Sequence, residues 1–590
     1  MRTDTVPGDA DGDFSVPPDR PHFRFWPNRL PRALVVPETT LAFNLEAAAA
    51  RYPDKPATVF FGRPQSYREL HARAAALAGW LQAHGVGRGE RVCVYLQNCP
   101  QYLVACYGVF RADAVVVPVN PMNKSAELAH VIDDSDAVAI VCAADLAATV
   151  AEAQASLPEH RRAKSILVVR YAEAMPEEAL DPELSPPPAM AAWLALDPPL
   201  PPGAVRFERA IAEGRSPRAP ENGPDDMALL PYTSGTTGLP KGCIHTHRTL
   251  MANAVAGSWT YGSAESVGLA VVPMFHITGM LYGVLGVVWG GSTAVVLPRW
   301  DRELAGRTIA RHRISHWVCI PTMVIDLFAS PNLASFDLSS LRSLSGGGAA
   351  MPQAVAERLR ETFGIAFAEG YGLTETAAPS HSNLPERPKL QCLGIPLFSV
   401  DSRVVDPATL AEMPPGETGE IITRGPMVFR GYWKHPEATA LAFVDFEGRR
   451  FFRTGDLGVM DDEGYFFMRD RLKRMINASG YKVWPAEVEA MLYKHPAVQE
   501  ACVIAARDPY RGETVKAVVV LRAAARESTT AEQIVEWARG QMAAYKVPRI
   551  VSFAESLPKS GSGKVMWRLL QDAESAAAQA AGTPPQAARP

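Results

Sequence analysis

The segment Tyr232-Thr-Ser-Gly-Thr-Thr-Gly-Leu-Pro-Lys-Gly242 places three glycines, four aliphatic hydroxyls and one lysine within eleven residues. Glycine lets backbone N–H groups approach a ligand closely, the hydroxyls add donors and the ammonium adds charge. Such a loop suits phosphate oxygens. It is not a Walker A loop, because Lys241 stands three residues after Gly238 and is followed by Gly242 rather than by Ser or Thr. A flexible surface turn is the competing reading, but turns are not this rich in hydroxyls beside a lysine. Eight cysteines without a CxxC pair offer neither a zinc ribbon nor a disulfide frame. A net charge of −4 gives no overall positive field for nucleic acid.

Positioning such a loop takes a large core, and the chain can build one: 590 residues, 47% hydrophobic and 21% charged. Helix and strand patterns alternate. Leu70, Ala74, Leu77 and Leu81 recur at helical spacing, with Gly85 as a stop. Arg91 to Leu96 reads as a strand, an apolar helix starts near Gln101, and Ala114 to Val119 reads as a second strand. That βαβ rhythm predicts a parallel sheet covered by helices. The proline-dense stretch from Leu180 to Val205 cannot form a sheet interior and is expected to be a surface excursion. Ile277 to Leu297 carries no charge and is long enough to span a bilayer, but Gly290-Gly291 interrupts it. A buried helix followed by a buried parallel strand accounts for it, with a membrane span as the rival. Beyond about residue 470 a second rhythm begins. A helix is expected over Pro485 to Lys494, strands at Gln499–Ala506 and Thr514–Leu521, and a helix opened by the capping-box spacing Thr530 to Gln533. The acidic start, Met1 to Arg20, lacks the basic and apolar regions of a secretory signal, so a cytoplasmic location is expected.

The chain resembles the adenylate-forming superfamily of acyl-CoA synthetases, firefly luciferases and adenylation domains, from about Leu41 to Leu570. Besides the hydroxyl-glycine loop, the resemblance rests on Pro273-Met-Phe-His276, Gly346-Gly-Gly-Ala-Ala350, Tyr371-Gly-Leu-Thr-Glu-Thr376, Arg453-Thr-Gly-Asp456, Asp470-Arg-Leu-Lys473 and Pro558-Lys-Ser-Gly-Ser-Gly-Lys564, in family order. The fold it implies is α/β: a large N-terminal domain of doubly wound α/β subdomains with a β-rich subdomain, plus a small mobile C-terminal α+β domain. The boundaries expected are a disordered 1–20, an adenylate-forming domain at 21–471, a mobile domain at 472–573 and a disordered tail at 574–590.

The resemblance also implies roles. Thr233, Ser234, Gly235, Thr236, Thr237, Gly238 and Lys241 would hold the β- and γ-phosphates of ATP. Glu375 would help hold Mg²⁺, and Thr374 would contact the α-phosphate. Gly348, Ala349, Ala350 and Tyr371 would enclose adenine, Asp456 would accept from the ribose hydroxyls, and Arg471 would reach ribose or phosphate. Lys564 would be the adenylation lysine, Lys473 the hinge, and Ser479, Gly480, Tyr481 and Lys482 part of the face that meets CoA. For Asp456 a plain turn-forming role competes, and for Lys564 an exposed surface position. His276 reads as a gate between carboxylate and thiol, with a satisfied core histidine as the alternative. No base is required there, since a carboxylate is already ionised at neutral pH.

Amino-acid-activating relatives place an aspartate after the phenylalanine of this motif. Here Phe275 is followed by His276, and no anion occurs until Asp301. A buried ammonium would lack its counter-charge. Ile277, Met280 and Gly370 are expected in an apolar acyl pocket. The expected activity is an AMP-forming ligase for a medium- or long-chain fatty acid, with ATP and CoA as co-substrates. Bacterial fatty-acyl-CoA ligases are the members most resembled. An aryl or short branched acid is the alternative within the superfamily. A non-catalytic nucleotide-binding protein and a transporter built on 277–297 are the alternatives outside it. The partners expected are small molecules, not nucleic acid or an integral membrane segment, with a homodimer left open.

Overall fold

The structure is a computed structural model that describes all residues except 1–13, 178–180, 234–239, 261–262, 348–350, 472–473, 475, 479–480, 509–511, 560–564 and 581–590. The chain divides into two compact units. One comprises Met1–Ser402, Thr423–Phe452 and Glu463–Tyr465; the other comprises Arg403–Ile422, Arg453–Asp462 and Phe466–Pro590. The fold is mixed α/β.

Among the described residues, two sheets lie wholly within the larger unit. A seven-stranded sheet is centred on Arg91–Tyr95, flanked by Val115–Pro118 and Ala137–Ala143 in parallel. Every residue of Val115–Pro118 is buried, as expected of a strand covered on both faces. Tyr67–Ala83 is the helix anticipated from its apolar spacing, with Leu70, Ala74, Leu77 and Leu81 all buried. Its start is fixed by a capping box between Ser66 and Glu69.

The second sheet has nine strands. Val267–Ala270, Thr293–Val296, His316–Cys319, Ser343–Gly347 and Phe367–Leu373 lie parallel in it, and Ala378–Ser382 returns antiparallel. The uncharged stretch resolves as Ile277–Met280, a π turn at Leu281–Leu285, Gly286–Gly290 and then the buried strand Thr293–Val296. Gly291, left-handed at φ 65°, makes the break. Among the described residues no helix is long and apolar enough to cross a membrane. The proline-dense stretch forms the short helix Pro188–Leu194, whose Trp193 rests on Tyr171 with ring centroids 4.8 Å apart.

In the smaller unit, Val498–Asp508 pairs antiparallel with Gly512–Leu521, which pairs in parallel with Ile550–Phe553. The helices Pro485–Leu492 and Ala531–Arg539 accompany that sheet, and the second is opened by the capping box of Thr530 and Gln533. Its core gathers Ile476, Val488, Leu492, Val503, Val519 and Ile534.

Candidate active site

The hydroxyl-glycine loop is closed at its base by an antiparallel bridge between Tyr232 and Gly242. The Thr233 N–H donates to the Lys241 carbonyl at 2.9 Å, and the Lys241 N–H reaches Thr233 Oγ1 at 3.4 Å. Ser234, Gly235, Thr236, Thr237 and Gly238 lie outside the described residues. Tyr232 anchors the loop below by donating its hydroxyl to Asp134 Oδ2 at 2.6 Å. Burial and the Asp134 charge hold that phenol well above its usual range, so it remains a donor.

The backbone after the loop runs beside a segment almost two hundred residues away in the chain. Cys243 bridges Tyr432, the Ile244 N–H donates to Gly431 O, and the Trp433 N–H donates to Gly242 O. This pairing sets the Lys241 ammonium 5.3 Å from the centroid of the Tyr432 ring, a cation–π distance. The Tyr432 hydroxyl in turn donates to Glu375 Oε1 at 2.8 Å. Lys241 and Glu375, 134 positions apart in the numbering, thus meet around one phenol. Burial, the Glu375 charge and Cys243 push the Tyr432 phenol far above its usual range, which keeps it a donor at any physiological pH.

Thr374 and Glu375 occupy the one-turn 3₁₀ helix Thr374–Thr376 that follows the strand Phe367–Leu373. Three side chains brace it. His245 donates from Nε2 to Thr374 O at 2.8 Å, and burial lowers this imidazole to about 4, so it stays neutral. Thr376 Oγ1 bonds the Leu373 N–H and the Ala378 carbonyl. Asn253 Nδ2, buried, donates to the carbonyls of Thr376, Ala377 and Pro379 at 3.0, 2.8 and 3.2 Å. Those bonds offset the strain of two successive left-handed residues, Ala377 (φ 51°) and Ala378 (φ 79°).

Tyr371 lies on the strand before this turn, 7% exposed, with its ring 5.5 Å from that of its cross-strand partner His381. Two positions earlier, Glu369 accepts from the N–H groups of Met351 and Gln391. Burial raises its carboxyl to about 7. Gly348, Ala349 and Ala350 are outside the described residues.

His276 caps the helix Ile277–Met280, its Nδ1 receiving the Thr278 N–H at a long 3.5 Å. A cavity of about 70 Å³ opens along that helix, lined by Asn253, Gly257, Gly268, Gly279, Gly283 and His316 together with aliphatic neighbours. Ile277 and Met280 are buried, and with Gly370 they fall outside the lining. Gly279 is needed there: a Cβ on it would stand 2.0 Å from the Pro273 carbonyl oxygen.

In the smaller unit Asp456 is buried within the strand Arg449–Met460, and in register it faces Arg471 on Phe466–Arg471. The Asp456 N–H donates to Thr454 Oγ1 at 3.0 Å. Arg453 pairs with Glu420, whose other oxygen receives the Gly455 N–H. Asp470 accepts from the Ala486 N–H at 2.6 Å, at the start of Pro485–Leu492. Tyr481 and Lys482 lie on a short strand antiparallel to Ile476–Ala478. Lys473, Ser479, Gly480 and Lys564 lie outside the described residues, the last flanked by a bridge between Lys559 and Val565.

Tyr432, His245, Asn253 and Glu369 carry weight that the sequence reading missed. His245 and Tyr432 had a faint signal, the polar run His-Thr-His before an apolar helix and an aromatic pair after Gly431. Asn253 and Glu369 had none, because their partners are fixed only by the tertiary fold.

Comparison with known proteins bears on the family. A family model described as AMP-binding enzyme matches residues 45–433, and one described as AMP-binding enzyme C-terminal domain matches residues 487–564. A long-chain-fatty-acid–CoA ligase from Bacillus subtilis (strain 168) is 35% identical over 563 residues, covering 94% of this chain and 98% of that protein. A feruloyl-CoA synthase from Amycolatopsis sp is 35% identical over 511 residues, covering 86% and 93%. Among solved structures, ATP-bound MatB from Rhodopseudomonas palustris superposes with a TM-score of 0.79 at 28% identity, covering 91% of this chain and 99% of that one.

Proposed function

The chain belongs to the AMP-binding enzyme family and is an AMP-forming acid–thiol ligase, and from this premise we propose that its acid is an aliphatic, medium- or long-chain fatty acid. The observation that supports the proposal is the cavity beside Pro273–His276, walled mostly by glycines and aliphatic side chains with a few polar groups among them. Each methylene buried there contributes about 0.8 kcal/mol, so preference for chain length should be graded at roughly fourfold per carbon. An aryl acid is the second reading, favoured by the likeness to the feruloyl-CoA synthase.

The chemistry follows from an unreactive carboxylate. Its oxygen attacks the α-phosphorus of ATP, pyrophosphate leaves, and the acyl group becomes a mixed anhydride. The sulfur of CoA then attacks the acyl carbon and AMP leaves with the bonding electrons. Neither step needs a covalent protein intermediate; both need positioning and neutralised charge.

In this reading Lys241 and the hydroxyls of Thr233, Ser234, Thr236 and Thr237 hold the β- and γ-phosphates, with Gly235 and Gly238 giving close backbone approach. Glu375 offers a hard carboxylate oxygen, steadied by Tyr432, which fits a Mg²⁺ that binds through one carboxylate and substrate phosphates. When bound, that ion supplies neutralisation of phosphate charge. Thr374 meets the α-phosphate, Gly348, Ala349, Ala350 and Tyr371 enclose adenine, and Asp456 and Arg471 take the ribose. Lys564 serves the adenylation step. Lys473 is the hinge through which Ser479, Gly480, Tyr481 and Lys482 replace it for CoA attack. His276 gates carboxylate from thiol, and the enzyme works in the cytoplasm.

The test is AMP release from ATP and CoA against straight-chain, branched and aryl acids of graded size. A rising preference with aliphatic length supports the proposal; a single aryl or short branched acid dominating the panel refutes it.

A further inference from the structure

The acyl cavity is not uniformly apolar. His316, at the start of the strand His316–Cys319, lines it and sits in register beside Gly268 on the neighbouring strand. A Cβ on Gly268 would stand 3.2 Å from His316 Nε2, so a side chain there would crowd the imidazole. The other ring nitrogen, Nδ1, is 2.9 Å from Ser315 Oγ. That hydroxyl is already committed: it donates to the Val267 carbonyl at 3.0 Å and accepts the Val267 N–H at 3.0 Å. With its one proton spent on Val267, Ser315 Oγ can only accept from the ring, so Nδ1 carries the hydrogen. Nε2 is left as a bare lone pair without a hydrogen-bond partner among the described residues. Burial lowers this imidazole to about 4, which keeps it neutral and the lone pair available at neutral pH.

Depth along the cavity can be read from the strand register. Cys319, three residues further along, pairs with Gly346 near the carboxyl end of the strand Ser343–Gly347. Ligands of parallel sheets sit at the carboxyl ends of the strands, and three residues span about 10 Å. A carboxylate held at that edge would bring the middle of a medium-length chain to His316.

We infer that His316 is a specificity-determining residue whose Nε2 accepts a hydrogen bond from a hydroxyl on the acyl part of the substrate, so that the acids taken are hydroxylated ones. The inference rests on the reading of this cavity as the acyl site. The same donor chemistry could come from a mid-chain alcohol or from a phenol. A neutral acceptor met by no donor loses its hydrogen bond in the occupied cavity, so the unsubstituted chain is the poorer substrate.

The test compares decanoic acid with its hydroxydecanoic isomers, the hydroxyl moved along the chain, and cinnamic with para-hydroxycinnamic acid. AMP release is measured for the wild-type enzyme, His316→Leu and His316→Gln. The expected result is a roughly tenfold higher kcat/KM for one mid-chain hydroxy isomer than for decanoate, a ratio that falls to about one in His316→Leu and is partly restored in His316→Gln. A preference confined to para-hydroxycinnamate would keep the role of His316 and refute the aliphatic reading. Equal loss on hydroxylated and plain acids in His316→Leu, or no hydroxyl preference in the wild type, would overturn the inference while leaving the aliphatic reading standing.

Discussion

Replacing Tyr432 by Phe removes a single oxygen from the centre of the site. The ring would keep its contacts with Phe429, whose centroid is 4.8 Å away, and would still lie under the Lys241 ammonium. What goes is the 2.8 Å bond to Glu375 Oε1. A hydrogen bond to a charged partner contributes about 1.5–3 kcal/mol. At 1.36 kcal/mol per decade this predicts a roughly ten- to hundredfold slower adenylation. The loss should appear with every acid, since the phenol touches no acyl group, and it should be accompanied by a higher Mg²⁺ requirement. The assay is acid-dependent ATP–pyrophosphate exchange over a Mg²⁺ titration, with a thermal melt to verify folding. An exchange rate and Mg²⁺ dependence within twofold of wild type would refute the claim that Tyr432 holds a working Glu375.

Further perturbations separate the parts of the account. Lys564→Ala should slow adenylation strongly while leaving CoA attack on supplied acyl-AMP largely intact; equal loss of both half-reactions would contradict that division. Glu369→Gln should stabilise the protein at high pH. A carboxyl raised from 4.5 to about 7 in the folded state retains its full contribution below pH 4.5 and loses about 3 kcal/mol as the pH climbs through 7. The variant should therefore melt a few degrees above wild type at pH 8 and level with it near pH 4.5, as read by differential scanning calorimetry. Gly279→Ala drives a methyl into the Pro273 carbonyl. It should raise the KM for the acid more than tenfold while the KM for ATP stays within twofold, both read from initial rates.

Much of the fold was legible because local patterns and tertiary burial agree. The helix Tyr67–Ala83 followed from Leu70, Ala74, Leu77 and Leu81, and the strand Val115–Pro118 from its unbroken apolar run. The stretch from Ile277 to Leu297 was ambiguous by hydropathy alone, and Gly291 settled it by turning left-handed between helix and strand. Lys241, Thr374 and Glu375 could be singled out because their motifs are contiguous, and the fold brings Lys241 and Glu375 to one phenol. The residues that brace them could not be singled out so: Asn253 acts on carbonyls more than 120 positions away, and Tyr432 on a carboxylate 57 positions away. The lining of the cavity along that stretch depends on packing as well as on sequence. The stretch Ile277 to Met280 was expected at the pocket; Gly279 borders the cavity together with Gly283 and His316, while Ile277 and Met280 are buried. Which face of a short helix borders a cavity depends on packing, and the π turn at Leu281–Leu285 shifts the register beyond what a regular periodicity predicts.

The most direct measurement is the identity of the phosphorus products when the purified protein is given ATP, Mg²⁺ and a fatty acid, first without CoA and then with it. Burst release of pyrophosphate that requires the acid, followed on CoA addition by AMP and acyl-CoA in equal amounts, is the result this account predicts. Release of ADP and phosphate, or no pyrophosphate with any acid, would contradict it.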